Sequence, residues 1–183
     1  MSTLSVDTIQ GKTTAGTVAM PAGMIVQTAY TSTTTKVAST TGSADVTLMS
    51  ANAFTPKFAN SHIHIILNMY FGIMNPNGGL QIVRAISGGA TTYGIGDVSS
   101  AYDGGSGFIS FDEFGLNVTA DNYSILQQGG YLVDTDHNTT SAITYTLRAT
   151  SNSEIYFNSA KETANGNARS SITLVVDAPL VIE

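Results

Sequence analysis

The chain has 183 residues, of which 42% are apolar and only 11% charged, well under the roughly 25% of an average soluble protein. Its net charge is −6, and its seven Lys and Arg residues are scattered, so no basic patch exists to neutralise a phosphate backbone and a nucleic-acid partner is not expected. Cysteine is absent, which excludes disulfides, thiolate metal sites and cysteine nucleophiles. A surface so poor in charge suits a protein that buries much of it against copies of itself or a neighbour.

Residues 1–23 are rich in Thr and Gly, hold few large apolar side chains and end in Met20-Pro21-Ala22-Gly23. They read as an extended arm that another surface must order. The start lacks the basic and apolar segments of a secretory leader, and no run approaches the roughly 20 apolar residues of a membrane span. The expectation is a product made in a cytoplasm without membrane insertion. Residues 24–183 read as one domain in which helix periodicity is nearly missing and short strands recur.

The first candidates are Met24 to Tyr30 and Asp45 to Met49. The clearest strand runs from Ser61 to about Ile73, with Ile63, Ile65, Leu67, Met69 and Phe71 on one face and His62, His64, Asn68 and Tyr70 mostly on the other. Asn75-Pro76-Asn77-Gly78-Gly79 then reads as a turn of hairpin type, with Leu80 to Ile86 returning. Ser87 to Gly107 is rich in Gly and Ser and reads as a long loop carrying Tyr93 and Tyr102. Shorter strands follow at Phe108 to Phe111, Tyr123 to Gln127 and Gly130 to Val133. Ile143 to Ala149 places Ile143, Tyr145 and Leu147 inward. Ile155 and Phe157 mark the next strand, Asn165-Gly166-Asn167 turns the chain, and Ser171 to Val176 closes the set. About eight to ten strands at this spacing predict an all-β, antiparallel two-sheet sandwich or jelly roll.

The opening LSVDTIQGKTTAGTVAMPAG (Leu4 to Gly23) resembles the start of small virion proteins of marine and cyanobacterial tailed phages, where a VDTIQ-like segment leads to a Gly/Thr stretch and a PAG-like junction. FTPKFANSHIHIILNMYFG (Phe54 to Gly72), DTDHNTTSAITYTLRATSNSEIYFN (Asp134 to Asn158) and SSITLVVDAP (Ser170 to Pro179) are similar in order and spacing to later segments of those proteins. The resemblance implies a tail-fibre-like or capsid-decorating protein, a homotrimer whose sandwich is similar to the C1q/TNF type. In that reading the arm anchors the chain on the virion through Val6, Asp7, Thr8, Ile9, Gln10 and Pro21, against a tail protein or the major capsid protein. Two departures stand out: Asp177 to Glu183 continues past the usual closing strand, and no shaft precedes the sandwich.

His62 and His64 form an HxH pair on one strand face. In trimeric fibre tips such pairs can ring a metal on the threefold axis, whereas the bland reading is two polar residues on the wet side of a strand. No metal and no cofactor is expected, and these two residues are the weak candidates. Asp134-Thr135-Asp136-His137-Asn138 lacks the full ligand pattern of a calcium loop and reads as a polar inter-strand turn. Asp112 and Glu113, adjacent on a strand, point to opposite faces and suit an edge better than acid–base work. Gly94-Ile95-Gly96 is loop punctuation. The N-x-[ST] triplets at Asn117, Asn122 and Asn138 carry no message without a leader. No nucleophile elbow, zincin helix or phosphate loop occurs, so the expectation is a binding protein and not an enzyme. Tyr93, Tyr102 and Tyr123 are the candidate receptor contacts, toward a host surface glycan or protein. A capsid cement protein is the alternative, and a carbohydrate-binding module a lesser one.

Overall fold

The computed structural model describes residues 23–39, 44–72, 78–95, 109–110, 125–151, 155–160 and 168–178. Among them are eleven strands and no helix, arranged as two antiparallel sheets. The all-β expectation holds. The anchoring residues Val6, Asp7, Thr8, Ile9, Gln10 and Pro21, the loop residues Tyr102 and Tyr123, and Asp112 and Glu113 lie outside the described residues.

The first sheet contains β1 (Ile25–Thr33), β2 (Val37–Ser39), β4 (Ile63–Phe71), β8 (Leu126–Asp134), β10 (Ile155–Phe157) and β11 (Ser170–Asp177). Its lateral order is β1-β11-β4-β8, because β4 pairs with β11 along one edge and with β8 along the other. The short β10 meets β4 at Phe71, beyond the end of β11, and β2 pairs with it there. The second sheet runs β3 (Ala44–Ser50), β9 (Ile143–Ser151), β5 (Gly78–Ile86), with β6 (Thr91–Tyr93) and β7 (Ile109–Ser110) sharing the far edge of β5.

Alternation makes the core. Ile63, Ile65, Leu67, Met69 and Phe71 of β4 and Ile172, Leu174 and Val176 of β11 form the inner face of one sheet. They meet Leu80 and Ile82 of β5 and Ile143, Tyr145, Leu147 and Ala149 of β9 from the other. Phe71 and Phe157 cross at 5.4 Å between ring centroids. Period two is interrupted by register shifts in β1, between Ile25 and Gln27, and in β3. A bulge between Thr47 and Met49 lets Leu48 and Met49, consecutive in sequence, both enter the core.

Several expectations are corrected. The segment after β4 does not close a hairpin, since β4 and β5 belong to different sheets. Gly129 and Gly130 do not split a strand: β8 runs unbroken from Leu126 to Asp134 and pairs with β4 along its whole length. Ser87 to Gly107 is not all loop, because Thr91–Tyr93 forms β6 against β5 after a turn in which Gly88 takes a positive φ of 71°. A strand at Val37–Ser39 was not foreseen.

Sequence-distant segments are tied together by a buried polar cluster. Asn158, at φ 57°, donates through Nδ2 to the carbonyls of Thr33 (3.2 Å) and Thr35 (3.0 Å) and accepts at Oδ1 from Ser170 Oγ (2.6 Å). The amide of Tyr70 in turn donates to Ser170 Oγ at 3.0 Å. Asparagine is one of the few residues that visit this left-handed region readily, so conformation and bonding require the same side chain.

Candidate functional site

Two surface features stand out, one on the outer face of the first sheet and one at its β8 edge. Pairing places Tyr30, Thr173, Ile66 and Tyr131 in a single row across β1, β11, β4 and β8. Thr28, Val175, His64 and Val133 form the next row, and Ser32, Ser171, Asn68 and Gly129 flank the other side. Tyr30 is 62% exposed, Ile66 44% and Tyr131 62%. The four strands contain no Lys or Arg, and the outward carboxylate on them is that of Asp177.

His62 and His64 lie on this outer face, as alternation requires. The imidazoles do not stand free. His62 Nδ1 and His64 Nε2 each lie 3.5 Å from Asp177 Oδ2, and the His62 amide donates to Asp177 Oδ1 at 2.9 Å. His64 Nδ1 shares a hydrogen bond of 2.7 Å with the Tyr131 hydroxyl, and the two rings stack at 6.0 Å. Among the described residues no group of three or more His, Cys, Asp or Glu side chains is placed to hold a metal ion. The geometry instead describes a polar chain, Tyr131–His64–Asp177–His62, that surrounds one carboxylate on a face without Lys or Arg.

At the β8 edge the sheets part around a pocket of about 330 Å³ lined by Thr92, Tyr93, Gly94, Ile95, Val133, Thr135 and Asp136. Tyr93 thus stands on a strand at a pocket wall, with the Arg148 guanidinium 5.8 Å from its ring centroid. Beneath the pocket lies a group that the sequence did not announce. Arg84 of β5 is 6% exposed and Asp134 of β8 is 1% exposed, and Arg84 Nη1 donates to Asp134 Oδ1 at 2.6 Å. Tyr145 donates its hydroxyl to Asp134 Oδ2 at 2.7 Å. Burial, and then the Asp134 carboxylate, push the Tyr145 phenol far above its ordinary value, so it serves as a fixed donor.

Desolvating such a pair costs several kcal/mol per ion unless bonds compensate, and here both carboxylate oxygens are engaged. The same guanidinium reaches both pocket walls. Arg84 Nη2 donates to Thr92 Oγ1 at 3.4 Å, and Nη1 lies 3.7 Å from Asp136 Oδ1. The Asp136 amide donates to Asp134 Oδ1 at 3.3 Å. Asp134 to Asn138, expected as a plain polar turn, is therefore partly interior: Asp134 and His137 are buried, and His137 Nε2 meets the Ser61 carbonyl at 2.9 Å. The alternation of β5 could have flagged Arg84, which falls on the inward set with Leu80 and Ile82. Nothing local identifies Asp134 as its partner, 50 residues away.

A scan against models of known protein families gives no match to this chain, and a search of the curated proteins gives none.

Proposed function

We propose that this chain is a structural protein of a phage virion, tail-fibre-like, which assembles into a homo-oligomer and acts by binding and not by catalysis. The observation that carries the reading is the charge-poor outer face of β1, β11, β4 and β8, with its Tyr30–Thr173–Ile66–Tyr131 row. Strands about 4.8 Å apart and about 3.3 Å per residue give four strands of eight or nine residues a face of roughly 600 Å². That approaches the roughly 800 Å² per partner of a stable interface. A face whose strands hold no Lys or Arg, and whose one outward carboxylate, Asp177, lies at the end of β11, lets like meet like with little charge repulsion, so a second copy of the chain is its natural occupant. The distribution of the described strands over two layers, each four strands across, favours the jelly-roll form of the sandwich and with it the C1q/TNF-type trimer that the sequence resemblance implies. The arm, residues 1–23, would grip a tail or capsid protein by strand addition, and the sandwich would project toward a host surface.

Locating the chain in the particle tests this. Tail-fibre assignment requires density at the tail and tens of copies, and hundreds of copies on the head lattice would make it a cement protein instead. A chain lacking residues 1–23 should fold and yet fail to enter particles. A stable monomer without affinity for any virion component would overturn the reading.

A further inference from the structure

The pocket between β6 and β8 has the chemistry of a site for one small ligand, and that chemistry is specific enough to name a class. Its walls divide evenly in character. Thr92, Thr135 and Asp136 offer hydroxyls and a carboxylate, while Tyr93, Ile95 and Val133 offer apolar surface. A purely apolar ligand would strand the polar half. An anion would meet the Asp136 carboxylate on a lining that holds no Lys or Arg, the Arg84 guanidinium behind it being committed to Asp134. A molecule with a hydroxyl-bearing edge and an apolar C–H face satisfies both halves.

The polar half is also held in advance. Thr92 Oγ1 accepts from Arg84 Nη2, which leaves its own proton to donate outward. Asp136 is exposed at its carboxylate but fixed at its backbone, through the bond from its amide to the buried Asp134. Asp134 is fixed in turn by Arg84 and Tyr145. Groups immobilised before a ligand arrives bind it at lower entropic cost. A volume of about 330 Å³ lies at the low end of ligand pockets, enough for one ring and not for an extended chain.

We propose that this pocket binds a single neutral pyranose unit. The Asp136 carboxylate accepts hydrogen bonds from two adjacent sugar hydroxyls, Thr92 donates to a sugar oxygen, and the Tyr93 ring flanks the C–H face. The assignment supplies the recognition chemistry for the host-attachment reading and rests on that reading for its use. Its test, however, needs only the purified chain, so it fails or stands apart from the location of the protein in a particle.

The full chain should be titrated with methyl glycosides of glucose, galactose, mannose and N-acetylglucosamine, following saturation transfer to the sugar protons. Saturable binding of at least one is expected, at dissociation constants of about 1 mM. Asp136→Asn should weaken it about tenfold or more by removing the charge from two hydrogen bonds. Tyr93→Ala should abolish it and Tyr93→Phe should retain it, all with unchanged melting temperature. An immobilised host surface polysaccharide forms the second arm. Slow release from it by the oligomer marks a glycan end as the source, and binding of glycosides alone marks a free sugar. No saturable binding of any glycoside, or binding indifferent to Asp136→Asn and Tyr93→Ala, overturns the proposal.

Discussion

Replacing Asp134 by alanine should be among the most damaging single changes in the protein. The substitution leaves the Arg84 guanidinium, 6% exposed, without its 2.6 Å partner and the Tyr145 hydroxyl without its 2.7 Å acceptor. Breaking a buried pair from one side costs about 3–5 kcal/mol, and orphaning a buried hydroxyl adds about 1–3, so roughly 4–6 kcal/mol is expected after overlap between the two. With an unfolding entropy near 2.1 cal/mol/K per residue, a domain of this size loses about 0.4 kcal/mol for each degree. The melting temperature should therefore fall by about 10–15 °C. The triple change Arg84→Met, Asp134→Leu and Tyr145→Phe removes every charge and hydroxyl together and should recover most of that loss, because well-packed apolar replacements of buried ion pairs are often neutral. Calorimetry of the three proteins at one fixed concentration reads this directly. A fall of less than about 3 °C for the single variant, or a triple variant as damaged as the single, would refute the account of Arg84, Asp134 and Tyr145 as a mutually compensating group.

Other outcomes follow from the same structure. Ile66→Lys places a charge at the centre of the charge-poor face and forfeits about 1.5–3 kcal/mol of burial per subunit, so sedimentation should show the oligomer shifting to monomer while circular dichroism stays unchanged. Gly72→Ala should destabilise the fold by about 1–3 kcal/mol, since a methyl there would overlap the Ser159 carbonyl and crowd Ala160; denaturant titration measures it. The raised pKa of Tyr145 means that its contribution to stability is complete below about pH 10, where the unfolded phenol ionises. Above that pH the folded state keeps a proton that the unfolded state sheds, so stability falls by up to about 1.4 kcal/mol per pH unit. Tyr145→Phe should flatten that alkaline slope. Asn158→Ala should cost about 2–4 kcal/mol, through lost bonds to Thr33, Thr35 and Ser170 and a strained positive φ.

The strands and their faces were legible because alternation is a local property. Ile63 to Phe71, Ile143 to Ala149 and Ile172 to Val176 declare their inward sides by period two alone. Pairing is not local. The Pro- and Gly-containing segment after β4 looks the same whether the chain folds back beside β4 or crosses to the other sheet, as it does. Gly129 and Gly130 read as a break, yet β4 supplies a bonded partner for every residue around them. Tyr93 reads from the sequence as a contact residue, but its setting depends on β8 contributing Val133 and on Asp136 beyond it. The HxH pair was placed on the correct face, whereas its neighbour Asp177 comes from a strand more than 100 residues later. Charged residues on an inward set, such as Arg84, are the one signal of the buried group that a sequence offers.

The position of β11 bears on how a nascent chain can mature. β11 is the latest of the described strands to be synthesised, yet it lies between β1 and β4, pairing Thr33 with Ser170 at one end and Ile63 with Val176 at the other. Until it leaves the ribosome, two bare backbone edges flank an empty slot, and bare edges recruit strands from other chains. A premature stop before Ser170 should therefore yield inclusion bodies instead of a shortened sandwich.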